Sequence, residues 1–305
     1  MSDSLSAVVV AAGRSQRMGF DKLLTPLAGR PLLLHTLERL FLTEAPREIV
    51  LVVRPGSEME MHQVIAPLGR RESIRIVPGG AQRQDSVQNG LQAVSPDSEF
   101  VMVHDAARPF VTRELIDTVL AAAKISDAAV CGAPCSDSLK EVGEDGLVLR
   151  TVDRSRLWTV QTPQIFRTQL LRDAYRGALV SGTIFTDDTA VVEAMGHPVR
   201  IVLYHGINLK VTTPMDWKIA EVFLAGDGGA AAEAPGGAML RKHLHDMNNH
   251  LTPLMGYAFL LNNELQNDEK LKKFSGSIQT ASERCQATTA AMQKIVRELF
   301  PNRGE

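Results

Sequence analysis

Cysteine is scarce in this chain. Cys131, Cys135 and Cys285 are the only three in 305 residues, an odd number without zinc-ligand spacing. That excludes a disulfide framework and a thiolate metal centre, and it points to reduced thiols in a cytoplasmic setting. Cys131 and Cys135 flank Gly-Ala-Pro in an apolar stretch and read as small packing residues. Long apolar runs are missing too: nothing approaches the roughly 18–20 uninterrupted residues of a membrane-spanning helix. The opening MSDSLSAVVVAAG has neither the basic start nor the cleavage site of a signal peptide, so its apolar run is expected to be a first strand. Excess charge is absent as well. The formal net charge is −2, which gives no whole-chain attraction to nucleic acid or anionic membrane, so neither is an expected partner. Internal repeats, a Ser-His-Asp arrangement, a Walker A loop and GxGxxG are all lacking.

What is present is an alternation. Apolar runs at Ala7–Ala11, Ile49–Val53, Ser73–Val77, Phe100–Val103, Ala128–Ala133 and Val199–Leu203 are separated by amphipathic stretches of helix length. Those stretches include Arg30–Leu42, Arg83–Ala93, Thr112–Ile125 and Thr168–Val180. Strands alternating with helices predict an α/β fold, a mostly parallel, Rossmann-like sheet with helices on both faces. The strands are apolar almost throughout, as expected when both faces are covered. Asp137–Thr151 breaks the rhythm: SLKEV, a Gly143–Gly146 turn and LVLRTV predict a projecting β-arm, long enough to reach a second subunit. Ala225–Ala238 (AGDGGAAAEAPGGA) has no apolar periodicity and reads as a flexible linker between a domain over 1–224 and a segment over 239–305. That last segment carries no strand signal and predicts two helices, about Met239–Leu265 and Asp268–Phe300, broken at Asn267-Asp268.

The segment AVVVAAGRSQRMGFDK (7–22) carries the first chemical signal. A strand runs into Ala11-Ala12-Gly13, where small residues let the backbone approach a ligand and offer amides to phosphate oxygens. Arg14, Arg17 and Lys22 follow and add cationic donors suited to a triphosphate. A strand-to-helix turn with solvated charges is the plainer alternative for these residues taken alone.

AAGRSQRMGFDKLL followed by LAGRPLLLHTLERL resembles the opening of the GT-A-like nucleotidyltransferases. PGGAQRQDSVQNGL (78–91), VHDAARPFV (103–111), TVDRSRLWTVQTPQIF (151–166) and NLKVTTPMDW (208–217) narrow this. In that order they resemble the 2-C-methyl-D-erythritol 4-phosphate cytidylyltransferase family of non-mevalonate isoprenoid synthesis, over about residues 5–225. The resemblance implies transfer of CMP from CTP to 2-C-methyl-D-erythritol 4-phosphate with release of pyrophosphate, and a magnesium ion; a homodimer is expected through the β-arm, the C-terminal hairpin or both.

It also implies roles for particular residues. Arg17 and Lys22 would stabilise charge at the α-phosphate and leaving group. Arg154 and Lys210 would grip the attacking phosphate, with Ser138 and Thr186 among the acceptor contacts. Ala11, Ala12, Gly13 and Arg14 would lie along the triphosphate, and Gly79, Gly80, Arg83 and Ser86 would line the cytosine and ribose pocket. Asp105 and Ala106 would sit at the sugar, with Asp105 as the carboxylate nearest the metal.

Plainer readings stand beside these. Asp105 could cap the following turn, Arg154 could pair with Asp153, Ser86 could be a helix N-cap, and His104 reads as a structural strand-end histidine. Two departures bear on the acceptor: Ser138 stands where the family usually has threonine, and Ile207 where many relatives carry Asp or Glu. A cytidylyltransferase for another polyol phosphate, such as ribitol 5-phosphate, is the near rival. A molybdopterin nucleotidyltransferase shares the opening loop, but HDAARP and TVDR argue against it. A signalling protein with a ligand-sensing, nucleotidyltransferase-like domain is the rival of another class.

The tail LRKHLHDMNNHLTPLMGYAFLLNNEL (240–265) resembles the phosphoacceptor helix of sensor histidine kinases, through His245-Asp246-x-Asn248-Asn249-x-Leu251-x-Pro253 and then Gly256-Tyr257. Such modules dimerise as helical hairpins. Leu244, Leu251, Leu254, Ala258 and Leu261 would form the buried stripe, leaving His245 exposed. No ATP-binding kinase domain follows in this sequence, so a phosphate on His245 is expected from a two-component signalling partner. A helical dimerisation appendage with an incidental histidine is the alternative.

Overall fold

The computed structural model describes residues 4–13, 18–204 and 206–226. The chain divides into two compact units, Met1–Leu224 and Ala225–Glu305, and the first is described here. Most of the linker segment, the whole 239–305 segment with His245, and Cys285 lie outside the described residues, as do Arg14 and Arg17.

Eleven strands and seven helices follow in the described residues. The strands are β1 (Leu5–Val10), β2 (Pro26–Leu27), β3 (Arg30–Pro31), β4 (Pro46–Val53), β5 (Ile74–Pro78), β6 (Phe100–Asp105), β7 (Ala128–Pro134), β8 (Leu139–Val142), β9 (Val148–Val152), β10 (Trp158–Arg167) and β11 (Arg200–Leu203). The helices are α1 (Leu32–Thr43), α2 (Glu58–Ile65), α3 (Arg83–Ala93), α4 (Arg113–Ser126), α5 (Thr168–Ser181), α6 (Asp188–Glu193) and α7 (Pro214–Gly226). None is long and apolar enough to cross a membrane.

Seven strands form one sheet in the order β11-β7-β10-β6-β1-β4-β5. All neighbours run parallel except β10, which is antiparallel to both β6 and β7. The sequence reading of a mostly parallel α/β sheet holds, but it passed over β10. In TVDRSRLWTVQTPQIF the apolar residues are interrupted by Gln161, Thr162, Pro163 and Gln164, so no strand pattern shows. The register breaks there too, between Val160 and Gln164, next to a cis Thr162–Pro163 peptide.

Alternation along each strand sends neighbouring side chains to opposite faces. Ala7, Val9, Ile49, Leu51, Val53, Phe100 and Met102 pack with residues of α1, α2, α4 and α7 in one core. Val8, Val50, Val52, Val101 and Val103 pack with α3, α5 and α6 in the other. Helix α3 lies so close that a Cβ on Gly90 would come within 2.5 Å of Val8 Cγ1.

Some boundaries differ from expectation for local reasons. Helix α1 starts at Leu32 rather than Arg30, because Arg30-Pro31 pairs with Pro26-Leu27 and a residue before proline favours extended backbone. Helix α7 continues to Gly226, two residues into the expected linker. Strands β8 and β9 form the separate two-stranded arm, with Gly143 and Gly146 closing its turn and Gly146 at φ +79°.

Candidate active site

The parallel strands direct their C-terminal ends to one edge. The chain leaves β1 toward β4 and β5 on one side, and returns to β6 on the other. The gap between β1 and β6 is therefore the point where strand order reverses, the usual place for a ligand in an open α/β sheet. Ala11-Ala12-Gly13 leaves β1 here, Asp105-Ala106 ends β6, and Gly79-Gly80 follows β5. Three amides tie the loops to strand ends: Ala11 N–H to Val52 O at 2.7 Å, Gly79 N–H to Val53 O at 2.7 Å and Ala106 N–H to Val10 O at 3.1 Å.

The glycine pair is dictated by contact. A Cβ on Gly79 would lie 2.7 Å from both Ala12 Cβ and Ser86 Oγ, so a larger residue would push the β1 loop outward. Ser86 is not the N-cap of α3. That position is Gln82, in a capping box with Asp85, and Ser86 is buried in the first full turn. Its hydroxyl accepts the Gly80 N–H at 3.1 Å and donates to Gln82 O at 3.0 Å, which fixes the Gly79-Gly80 turn against α3.

Asp105 is the electrostatic hub. Lys210 Nζ lies 2.8 Å from its Oδ2, Arg108 Nε 3.5 Å from the same oxygen, and Arg83 Nε 3.8 Å from Oδ1. Burial acts to raise the Asp105 carboxyl. Lys210, Arg83 and Arg108 outweigh it and hold it down at about 2. The segment 208–211 is fastened alongside: Arg108 Nη1 donates to Asn208 O at 2.7 Å and Val211 N–H to Ala107 O at 2.9 Å. Asn208 Nδ2 donates to Gln161 Oε1 and Thr162 O, and Thr162 Oγ1 accepts the Asp105 N–H at 3.1 Å. Strand β10, unread in the sequence, thus braces the hub. Lys22 Nζ donates to Val211 O at 2.8 Å, so the β1 loop reaches the same segment.

The structure therefore brings Ala11, Ala12, Gly13, Lys22, Gly79, Gly80, Arg83, Ser86, Asp105, Ala106 and Lys210 to one edge of the sheet. Ser138 is exposed at the root of the arm, and Arg154 lies beside it, donating to Ser136 O rather than pairing with Asp153, whose carboxylate takes Ser155. Thr186 is exposed just before α6. His104 is fully buried and bonded through Nε2 to Arg108 O at 3.2 Å, while its Nδ1 has no partner. Burial pushes this imidazole down to about 4, so it is neutral at pH 7. Cys131 is fully buried and its thiol is pushed up to about 12 by burial, as suits a packing residue.

Three residues that matter here were not singled out from sequence. Arg108 sits inside HDAARP, and its arginine was the available signal. Asp188 and Tyr175 had none: Tyr175 is one polar residue in an amphipathic stretch, and Asp188 stands in the polar run Thr186-Asp187-Asp188-Thr189. Asp188 is fully buried, takes both Arg83 Nη groups at 3.0 and 2.7 Å, and accepts the Tyr175 hydroxyl at 2.6 Å.

A switch-point edge with small-residue loops, a buried carboxylate and converging cations, on this sheet order, defines an α/β nucleotidyltransferase fold. A sequence model of 2-C-methyl-D-erythritol 4-phosphate cytidylyltransferase matches residues 5–226. The cytidylyltransferase of that name from Pelotomaculum thermopropionicum is 44% identical over 237 residues, covering 77% of this chain and all of that protein. That from Caldanaerobacter subterraneus is 41% identical over 224 residues, covering 72% of this chain and 99% of the relative. The crystal structure of the Thermus thermophilus protein is similar with TM-score 0.61 and 37% identity, over 72% of this chain and 98% of that one. The chain belongs to the 2-C-methyl-D-erythritol 4-phosphate cytidylyltransferase family.

Proposed function

We propose that this chain transfers CMP from CTP to 2-C-methyl-D-erythritol 4-phosphate and releases pyrophosphate. The observation that carries the reading is the Asp105 hub, with Lys210 and Arg83 converging on it beside the Ala11–Gly13 and Gly79-Gly80 turns. A phosphate oxygen of the acceptor attacks the α-phosphorus of CTP, and the bond to the β-phosphate oxygen breaks. Both reactants are anions, so the protein's task is to align them and to neutralise charge; no protein nucleophile is needed. In this reading Ala11, Ala12, Gly13 and Arg14 bind the triphosphate through backbone amides and charge, and Arg17 and Lys22 stabilise the charge that grows toward pyrophosphate. Lys210 and Arg154 hold the attacking phosphate, while Ser138 and Thr186 contact the acceptor. Gly79, Gly80, Arg83 and Ser86 shape the base and ribose pocket.

A magnesium ion is part of the proposal. Among the described residues there is no group of three or more His, Cys, Asp or Glu that could cage one. Asp105 would be its single carboxylate ligand, through Oδ1, which stands 3.8 Å from Arg83 Nε while Oδ2 takes Lys210 at 2.8 Å. Magnesium suits that poverty of protein ligands, because it is commonly held by substrate phosphates and waters. When bound it would supply charge neutralisation at the triphosphate.

The finer assembly is proposed as well. The β-arm exposes Val142, Leu147, Val148 and Leu149, each half or more accessible, which supports its use as a dimer contact. The tail over 239–305 is proposed from sequence alone as a dimerising phosphoacceptor hairpin with His245 open to a signalling partner. The proposed setting is cytoplasmic.

The test is a pyrophosphate-release assay on the full chain with CTP and Mg²⁺. Methylerythritol phosphate is expected to give turnover. Turnover with ribitol 5-phosphate and none with methylerythritol phosphate would overturn the acceptor, and no pyrophosphate with any polyol phosphate would overturn the reaction.

A further inference from the structure

Arg83 opens helix α3, and its backbone is fixed by the helix, but its guanidinium hangs on four rotatable bonds. Two carboxylates decide where it rests. Asp188 engages both terminal nitrogens as a fork, at 3.0 and 2.7 Å. That leaves Nε turned toward Asp105, 3.8 Å away. Asp188 is in turn held by the Tyr175 hydroxyl, at 2.6 Å from Oδ1, so the carboxylate cannot swing with the arginine. The next residue of α3 makes a second tie to the same segment, since Gln84 Oε1 accepts the Phe185 N–H at 3.0 Å. Three elements, α3, α5 and α6, therefore meet on one buried carboxylate whose outlet toward the active edge is Arg83.

Stability alone is a poor reason for this arrangement. Well-packed apolar residues of similar volume commonly replace a buried ion pair at no loss, because desolvating two charges offsets most of their attraction. A fork of two parallel bonds gives direction above all. Resting on the nucleotide-pocket reading of Arg83 given above, we propose that Asp188, braced by Tyr175, is a positioning residue that fixes the Arg83 guanidinium against Asp105 and so sets the affinity for CTP. Asp188 touches neither reactant; it acts through Arg83.

The full-length protein and its Asp188→Asn, Arg83→Ala, Asp188→Asn/Arg83→Ala, Asp188→Glu, Tyr175→Phe and Tyr175→Phe/Arg83→Ala variants test this. CTP binding is read by calorimetry with Mg²⁺, which needs no acceptor. KM and kcat come from turnover, and melting temperature is read in parallel. Asp188→Asn is expected to weaken CTP binding and raise KM for CTP about tenfold, the worth of one misplaced charge-assisted contact. The acceptor KM and kcat are expected to move by less than about threefold, since a purely pocket-positioning effect enters through binding. Asp188→Glu, which keeps the charge, is expected to recover most of the affinity. In the Arg83→Ala background Asp188→Asn is expected to add nothing further, because the group it positions is gone.

A lowered melting temperature with unchanged CTP affinity would reduce Asp188 to a structural residue and overturn the proposal, as would losses that multiply in the double variant. If Asp188→Asn does not fold, Tyr175→Phe carries the test: a several-fold loss of CTP affinity that vanishes in Arg83→Ala supports the proposal, and an unchanged affinity overturns it. Wild-type CTP binding without turnover would count against the proposed reaction and leave the positioning result readable.

Discussion

Replacing His104 by glutamine would remove a pH dependence that the fold itself creates. An exposed histidine titrates at about 6.5, whereas His104 in the folded chain is pushed down to about 4. The cause is visible: the ring is fully buried, and that outweighs the Nε2 bond to Arg108 O and the Asp105 charge, which both favour a proton; protonation would also place a second N–H at Nδ1 with no acceptor, close to Arg108 and Lys210. The native state therefore resists a proton that the unfolded chain accepts. Above about pH 7 neither state binds it, and His104 leaves stability untouched. As pH falls from 6.5 toward 4, the unfolded state gains the proton alone and stability drops, at up to about 1.4 kcal/mol per pH unit. Over the whole window the loss is roughly 3 kcal/mol. The Asp105 carboxyl has the same sign but a separate window, from about 4 down to about 2. Urea titrations between pH 7.5 and 4.5, followed by the fluorescence of Trp158 and Trp217, isolate the histidine. Glutamine keeps an amide donor for Arg108 O and cannot titrate, so the variant is expected to lose stability less steeply across this range. Parallel pH curves for the two proteins would refute the burial argument, whatever the offset between them.

Two further outcomes follow from contacts already described. Gly90→Ala places a methyl 2.5 Å from Val8 Cγ1 and 2.9 Å from Val52 Cγ2, forcing α3 off the sheet. The overpacking cost, about 1–3 kcal/mol, exceeds the roughly 1 kcal/mol gained in helix propensity, so thermal denaturation is expected to start several degrees lower; an unchanged or higher melting temperature would contradict the tight packing. On the proposed dimer contact, Val148→Asp puts a charge on the apolar arm and is expected to shift sedimentation from dimer toward monomer while leaving the melting temperature of dilute protein nearly unchanged. A wild-type chain that sediments as a monomer would remove the arm from any assembly.

Much of this protein was legible in its sequence because its signals are local. Apolar runs with turn residues between them gave the parallel strands and their covering helices, since a strand buried on both faces must be apolar throughout. The Gly-Glu-Asp-Gly turn of the arm was legible for the same reason: a hairpin is specified by its own few residues. Gly79-Gly80 and Asp105 stood out as short motifs. What stayed hidden is what depends on residues distant in the chain. Strand β10 carries polar residues where it braces Asp105 and Asn208, and that breaks the apolar pattern by which strands are read. Ser86 looked like a helix cap, yet Gln82 takes that place, because capping depends on where the backbone turns rather than on residue type alone. Asp188 could not be distinguished from its neighbour Asp187 in sequence. One caps α6 at its surface; the other is buried beneath Arg83, 105 residues earlier in the chain. The residue order decided which elements form and which groups can bind phosphate. Tertiary packing decided which carboxylate meets which arginine, because that choice is made where α3, α5 and α6 close over the sheet and shut water out.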